Sequence, residues 1–319
     1  MATPTLPRPL DSSSSASHPA TPPPRRAPHA WRRRLTPFGF LSPTLVLLAV
    51  LMATPIAMVI WYSLFDRVIT ARKSEFIGFD NYAQVLTDPV FYTAVKNTAI
   101  FTGTSVVAHF VIGLAFALLL NTPLLSARVR AVFRVFYILP WLFTIAITAV
   151  LWRMLLNPNG VVNYLLGGLG VTDGRTEWLS SPGTALWAVT FINIWAGYPF
   201  FMVSLLAGLQ GISADLYEAA RVDGAGAVKR FFHVTVPQLR PIIISMALLD
   251  VIWTTQQFAL IWMTTGGGPV KATEMLSTFT YKLAFADFDF AVASAAAVIV
   301  LVLSMVLAVL YVRHQKARD

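Results

Sequence analysis

The sequence predicts an all-α fold: a polytopic membrane helical bundle with six transmembrane helices. Three observations carry this expectation. Hydrophobic residues make up 56 % of the chain and charged residues only 12 %, about half the roughly 25 % charged fraction of a soluble domain. The mean hydropathy is +0.65. Six apolar stretches, near 40–65, 93–120, 133–155, 184–209, 241–263 and 289–312, each approach or exceed the roughly 20 residues that a spanning helix needs. Such a composition excludes an ordinary cytosolic enzyme and a disordered chain. With no cysteine, it also excludes a disulfide-stapled secreted domain.

Taken in order, residues 1–37 differ from the rest. They hold nine of the 20 prolines, the run Ser12 to Ser15 and a basic end at Arg25, Arg26, Arg32, Arg33 and Arg34. Such a segment cannot bury apolar surface, so a disordered, Pro/Ser/Arg-rich cytoplasmic tail is expected. The first apolar run is too long for the core of a signal peptide. It contains Pro43 and Pro55, which predict a late start or a kink. A six-helix membrane-spanning body is expected over 38–312, and a short cytoplasmic C-terminal tail over 313–319.

Lysine and arginine set the topology. With the N-terminus inside, sixteen of the 24 basic residues lie on the inner side, including Arg128, Arg130 and Arg134 before the third span and Arg221, Lys229, Arg230 and Arg240 before the fifth. The bias predicts both termini in the cytoplasm. The outer connections 66–92, 156–183 and 264–288 are rich in Gly, Asn and Asp and read as loops with short surface helices. The net charge of +9 is not a nucleic-acid signature, because the basic residues sit at the ends of apolar stretches rather than along one polar face.

The inner connection 210–240 is the most informative. Ser213 or Asp215 can cap a helix, with Glu218 three residues after Asp215. Leu216, Ala219, Ala220 and Val222 give a short helix with small residues on one face, and Asp223-Gly224 ends it in a sharp turn. A second amphipathic helix carries Phe231, Phe232 and Val234, and Pro237 is expected to close it before the fifth span. The result is a helix–turn–helix hairpin on the cytoplasmic surface.

Glu218-Ala219-Ala220, Asp223-Gly224-Ala225, Phe231 and Pro237 together resemble the EAA loop of ABC importer permeases of the carbohydrate-uptake (MalF/UgpA-like) family. Val228 stands where that family usually has tryptophan. Phe76 to Tyr82, Asp88 to Phe91, Asn97-Thr98, Thr265 to Pro269, and the Phe285 to Ala295 region are similar to other stretches of the same permeases. The resemblance covers about 38–312. It implies the ABC importer type I permease fold in a bacterial inner or plasma membrane. It further implies a hairpin that couples to a cytoplasmic ATPase dimer, with Glu218 paired to a base on that ATPase. A second permease subunit, an extracellular solute-binding protein and a carbohydrate substrate complete the implied partners.

No G-x-x-x-x-G-K-[ST] loop occurs, so no cofactor is expected in this chain and ATP with Mg belongs to the partner ATPase. No catalytic or metal constellation is read from the five histidines, and His109, in the second span, is expected to be a hydrogen-bonded packing residue. Polar residues inside spans face the bundle interior or a water-filled path. In span four these are Asn193, Gly197 and Tyr198, with Phe200 on the same face; in span five, Asp250, Trp253, Thr254 and Gln257 recur at i, i+3, i+4 and i+7. Amide, carboxylate and aromatic groups suit a sugar, so these eight residues are the candidate substrate pathway. The alternatives are a self-contained ion-coupled secondary transporter, which would show repeats with broken helices, and an intramembrane enzyme, which would need a partner for His109.

Overall fold

The computed structural model describes residues 40–69, 73–122 and 124–316. The expected disordered tail, 1–37, and the last three residues lie outside these. Among the described residues the regular structure is helical, and Phe65 and Phe76 form one isolated β-bridge. The chain divides into two compact units, one ending at Thr54 and one beginning at Pro55.

Helix α1 (Phe40–Tyr62) is apolar throughout, and none of its most apolar window is buried. It is helical from Phe40, the first described residue, so the late start is not seen. Instead the turn Ala49–Ala53 widens into π-helix just ahead of Pro55. The same device recurs at Phe231–Thr235, just ahead of Pro237. A proline lacks the N–H that would close an α-turn, and its ring clashes with the carbonyl four residues back. A wider turn in front of it moves that carbonyl aside and lets the helix continue.

In the second unit, α2 (Asp80–Thr87) precedes the long α3 (Pro89–Asn121), whose start is capped by the Asp88 carboxylate accepting from the Val90 N–H. Then follow α4 (Ala127–Leu142), α5 (Ile145–Leu155), α6 (Val161–Gly168), α7 (Ala185–Gln210), α8 (Ala214–Val222), α9 (Ala227–Thr255), α10 (Ala259–Thr264), α11 (Leu276–Phe285) and α12 (Phe290–Lys316). Helices α1, α3, α7, α9 and α12 are each long and apolar enough to cross a membrane. The third expected span is two helices, α4 and α5, bent by 98°. Counted as one broken span, the pair makes six. The bend has a local cause. Pro140 weakens the last turn of α4, Phe143 and Thr144 are extended, and the Thr144 hydroxyl caps α5. Hydropathy runs unbroken across this point because the break itself is lined by apolar residues.

Span five also departs from the expected 241–263. Its helix begins at Ala227, passes through Pro237, and stops at Thr255 before resuming as α10. Pro237 therefore does not close the hairpin's second helix.

Helix α3 packs along α7, where Gly113 and Gly197 allow close approach: a Cβ at Gly113 would lie 2.5 Å from the Phe201 Cβ. One apolar core joins Ala117, Leu120, Phe201, Leu205 and Leu239 from α3, α7 and α9. Another, at the opposite end of α3, joins Val85, Phe91, Phe279 and Val292. At that end the Asn97 amide donates to the carbonyls of Lys271, Ala272 and Glu274 at 3.3, 3.2 and 3.0 Å. It thereby holds the Gly-rich turn after α10, where Gly266 and Gly267 take φ of +62° and +88°. Beneath that turn the buried Glu274 carboxylate pairs with Lys282.

Candidate functional site

Helices α3, α4, α5, α7 and α9 surround a cavity of about 390 Å³. Its most constrained element is a buried triad. The His109 Nδ1 lies 2.7 Å from Asp250 Oδ2, and its Nε2 lies 3.0 Å from the Asn193 carbonyl oxygen. A carbonyl can only accept, so Nε2 carries a proton. A second proton must then sit between Nδ1 and Oδ2. With these two protons the pair is net neutral, whether as imidazolium–carboxylate or as imidazole–carboxylic acid. Thr254 donates to the other carboxylate oxygen at 3.1 Å. His109 and Asp250 are 2 % and 7 % exposed.

Gly197 makes room for this ring. A Cβ there would lie 2.4 Å from the His109 Nε2, so any side chain would displace the imidazole. Around the triad stand aromatic faces: Phe200 and Trp253 have ring centroids 5.4 Å apart, and Trp141 lies 6.1 Å from Phe200. Trp253 is 55 % exposed. Two buried polar atoms of residues lining the cavity, Asn193 Nδ2 and Thr148 Oγ1, have no hydrogen-bond partner. A buried polar group left unpaired costs about 1–3 kcal/mol, so both are groups that a ligand hydroxyl would meet.

Seven of the eight predicted pathway residues, Asn193, Gly197, Phe200, Asp250, Trp253, Thr254 and Gln257, line this one cavity. Gln257 lies beyond the end of α9 rather than on its face, and its carbonyl accepts from the Ser277 hydroxyl at 2.9 Å. Tyr198 is the exception. It points away, into the core beside Phe116, with centroids 5.3 Å apart. One residue further along a helix turns by about 100°, which separates Tyr198 from the Gly197 face. A larger surface pocket, about 750 Å³, lies between Arg153, Glu177 and Pro269. None of the residues lining it carries a buried unpartnered side-chain atom, so it has weaker claims as a ligand site.

The 210–240 hairpin forms at the other end of α7. Ser213 caps α8 by accepting from the Asp215 N–H, and Gly224 takes φ +75° in the turn. Glu218, Ala219 and Asp223 are exposed, and Val222 and Val228 are 88 % and 72 % exposed. The hairpin is tied to α9 by a hydrogen bond between the Tyr217 and Thr235 hydroxyls, 3.0 Å apart. Phe231 lines a recess with Glu218, Arg221, Leu118 and Asn121. Ala220 lies in α8 and Ala225 just after it in the turn, and Pro237 lies within α9.

Residues 109–318 match the family described as binding-protein-dependent transport system inner membrane component. The chain belongs to this family. This permease is 33 % identical over 288 residues to the sulfoquinovosyl glycerol transport system permease protein SmoG of Agrobacterium fabrum, covering 90 % of this chain and 92 % of that one. It is 35 % identical to the trehalose/maltose transport system permease protein MalF of Thermococcus litoralis, covering 76 % and 82 %. The crystal structure of a bacterial ABC transporter involved in the import of the acidic polysaccharide alginate superposes with a TM-score of 0.76 at 25 % identity, covering 90 % and 97 %. The permease is thus a multi-pass membrane subunit of an ABC importer.

Two features of the permease's cavity were not read from sequence. His109 and Asp250 were each singled out, yet nothing local pairs residues 141 positions apart. Thr148 was missed altogether, because a threonine inside an apolar run carries no signal until the α4–α5 bend turns it toward α7. His109 is a hydrogen-bonded residue as expected, but its partner is the very carboxylate expected to face substrate.

Proposed function

We propose that this permease forms half of the translocation pathway for a carbohydrate, of the sugar, oligosaccharide or glycerol-phosphate-like kind, delivered by an extracellular binding protein. The observation that supports it best is the cavity, which combines two unpartnered buried polar groups with exposed aromatic faces. Hydroxyls need the first, and the apolar face of a pyranose stacks on the second. Kinship supports the class: relatives carry names for sulfoquinovosyl glycerol and for trehalose/maltose transport.

The second half of the pathway is a partner permease subunit. The hairpin docks on a cytoplasmic ATPase dimer, a separate chain that holds ATP and Mg. Glu218 sets the register by meeting a base there, Ala219 and Ala220 permit close approach, and Asp223, Gly224 and Ala225 make the turn. Phe231 and Pro237 lie in the first turns of α9, which follows that turn directly, so that closure of the ATPase moves the helix bearing Asp250 and Trp253. Exposed Val222 and Val228 suit such an interface. The positive-inside bias supports a bacterial inner-membrane location with both termini cytoplasmic.

Reconstitution of the permease with its ATPase, second permease and binding protein tests this reading. Uptake of a saccharide panel into proteoliposomes should require ATP. Uptake driven by a proton or sodium gradient without ATP would overturn it.

A further inference from the structure

We propose that the half-pathway built by this chain selects for uncharged saccharides and rejects anionic ones, a specificity set by the His109–Asp250 pair. The inference rests on the cavity being a carbohydrate site, and it narrows that reading. Kinship leaves the charge of the substrate open, since the family includes importers described for an acidic polysaccharide and for trehalose/maltose.

The argument is one of proton and charge accounting. Among the described residues, no lysine or arginine lines the cavity, and its ionisable side chains are His109 and Asp250. The Nε2 proton is committed to the Asn193 carbonyl, and the second proton to the Nδ1–Oδ2 contact at 2.7 Å. The pair therefore presents no net positive charge and no spare N–H. The second carboxylate oxygen already accepts from Thr254. A carboxylate, sulfonate or phosphate entering this space would lose hydration and meet no counter-charge, and an uncompensated charge in a low-dielectric setting is strongly disfavoured. A hydroxyl has no such requirement. It accepts from or donates to Asn193 and Thr148, whose Nδ2 and Oγ1 are buried without partners. The Asp250 carboxylate thus cancels the imidazole at the one place where a histidine could have bound an anion.

The test uses the intact transporter in detergent. Tryptophan fluorescence reports on the cavity through Trp141 and Trp253, with a Trp253→Phe complex identifying the local signal. Neutral disaccharides are titrated beside their matched aldonic and uronic acids. Neutral sugars should bind at least about 10-fold more tightly than their acids, a ratio that corresponds to about 1.4 kcal/mol. Gln257→Lys places a cation at the rim and should shrink that ratio to about 3-fold or less. Gln257→Met, which changes the same side chain without adding charge, should preserve it. Equal binding of both classes to the wild-type complex would overturn the charge selection while leaving the saccharide site standing. Absence of any saccharide signal would overturn the saccharide site and the selection with it. A Gln257→Lys complex that melts like the wild type yet keeps the full ratio would also overturn the selection.

Discussion

The His109 imidazole on α3 meets the Asp250 carboxylate on α9 at 2.7 Å; both are buried, and the imidazole packs against Gly197 of α7. Three helices are thereby joined at one point on the wall of the cavity. In a membrane span an ionisable group is costly unless it is paired or faces a water-filled space. Here each group is the other's partner, and Gly197 leaves the ring its space.

Breaking this contact should destabilise the bundle. His109→Leu leaves the Asp250 carboxylate with Thr254 alone, and removing one partner of a buried pair costs about 3–5 kcal/mol. The single variant should unfold at lower temperature in detergent, and the His109→Leu/Asp250→Leu double variant should recover much of the loss. Wild-type melting of the single variant would show that the contact is dispensable.

Gly197→Ala should act through the same ring. Its Cβ would lie 2.4 Å from Nε2, and overpacking of this kind costs about 1–3 kcal/mol. Transport should fall together with thermal stability. A fully active and stable Gly197→Ala would mean that the imidazole moves freely.

Trp253→Ala should impair uptake while the complex still assembles, because this half-exposed ring faces the cavity rather than the core. The expected change is a several-fold loss of transport rate with normal co-purification of the ATPase. Unchanged uptake would remove Trp253 from the pathway.

The hairpin offers two tests. Glu218→Lys reverses an exposed charge and should abolish ATPase co-purification or transport; survival of both would refute the docking role. Tyr217→Phe removes only the 3.0 Å bond to Thr235, worth about 1 kcal/mol. The complex should assemble, but with less substrate moved per ATP hydrolysed. An unaltered ratio would show that the hairpin moves α9 by another route.

Much of this was legible along the chain. A hydrophobic stretch reports its own length, and the lysines and arginines beside it report its side, so the spans and their expected orientation needed no neighbours. The hairpin was equally local: Ser213 as cap, Gly224 as turn and Glu218 three residues after Asp215 all lie within one short segment. The polar face of span five was visible because α-helical periodicity places Asp250, Trp253 and Thr254 together.

Helix breaks and partners far apart in the chain were harder to read. The 98° bend between α4 and α5 hides in continuous hydropathy, because the residues flanking the break, Trp141, Leu142 and Ile145, are themselves apolar and exposed. Pro237 reads as a stop, yet the π-turn ahead of it carries the helix through. Tyr198 sits one residue from Gly197, about 100° round the helix, and packs into the core beside Phe116. Sequence alone thus determined the membrane class, the approximate spans and the local turn of the 210–240 hairpin, since these follow from composition and short-range spacing. Only the tertiary structure decided that His109 and Asp250 neutralise each other, that Gly197 gives their ring its space, and that Thr148 joins Asn193 at the cavity. Those facts arise from packing between helices that are far apart in the chain.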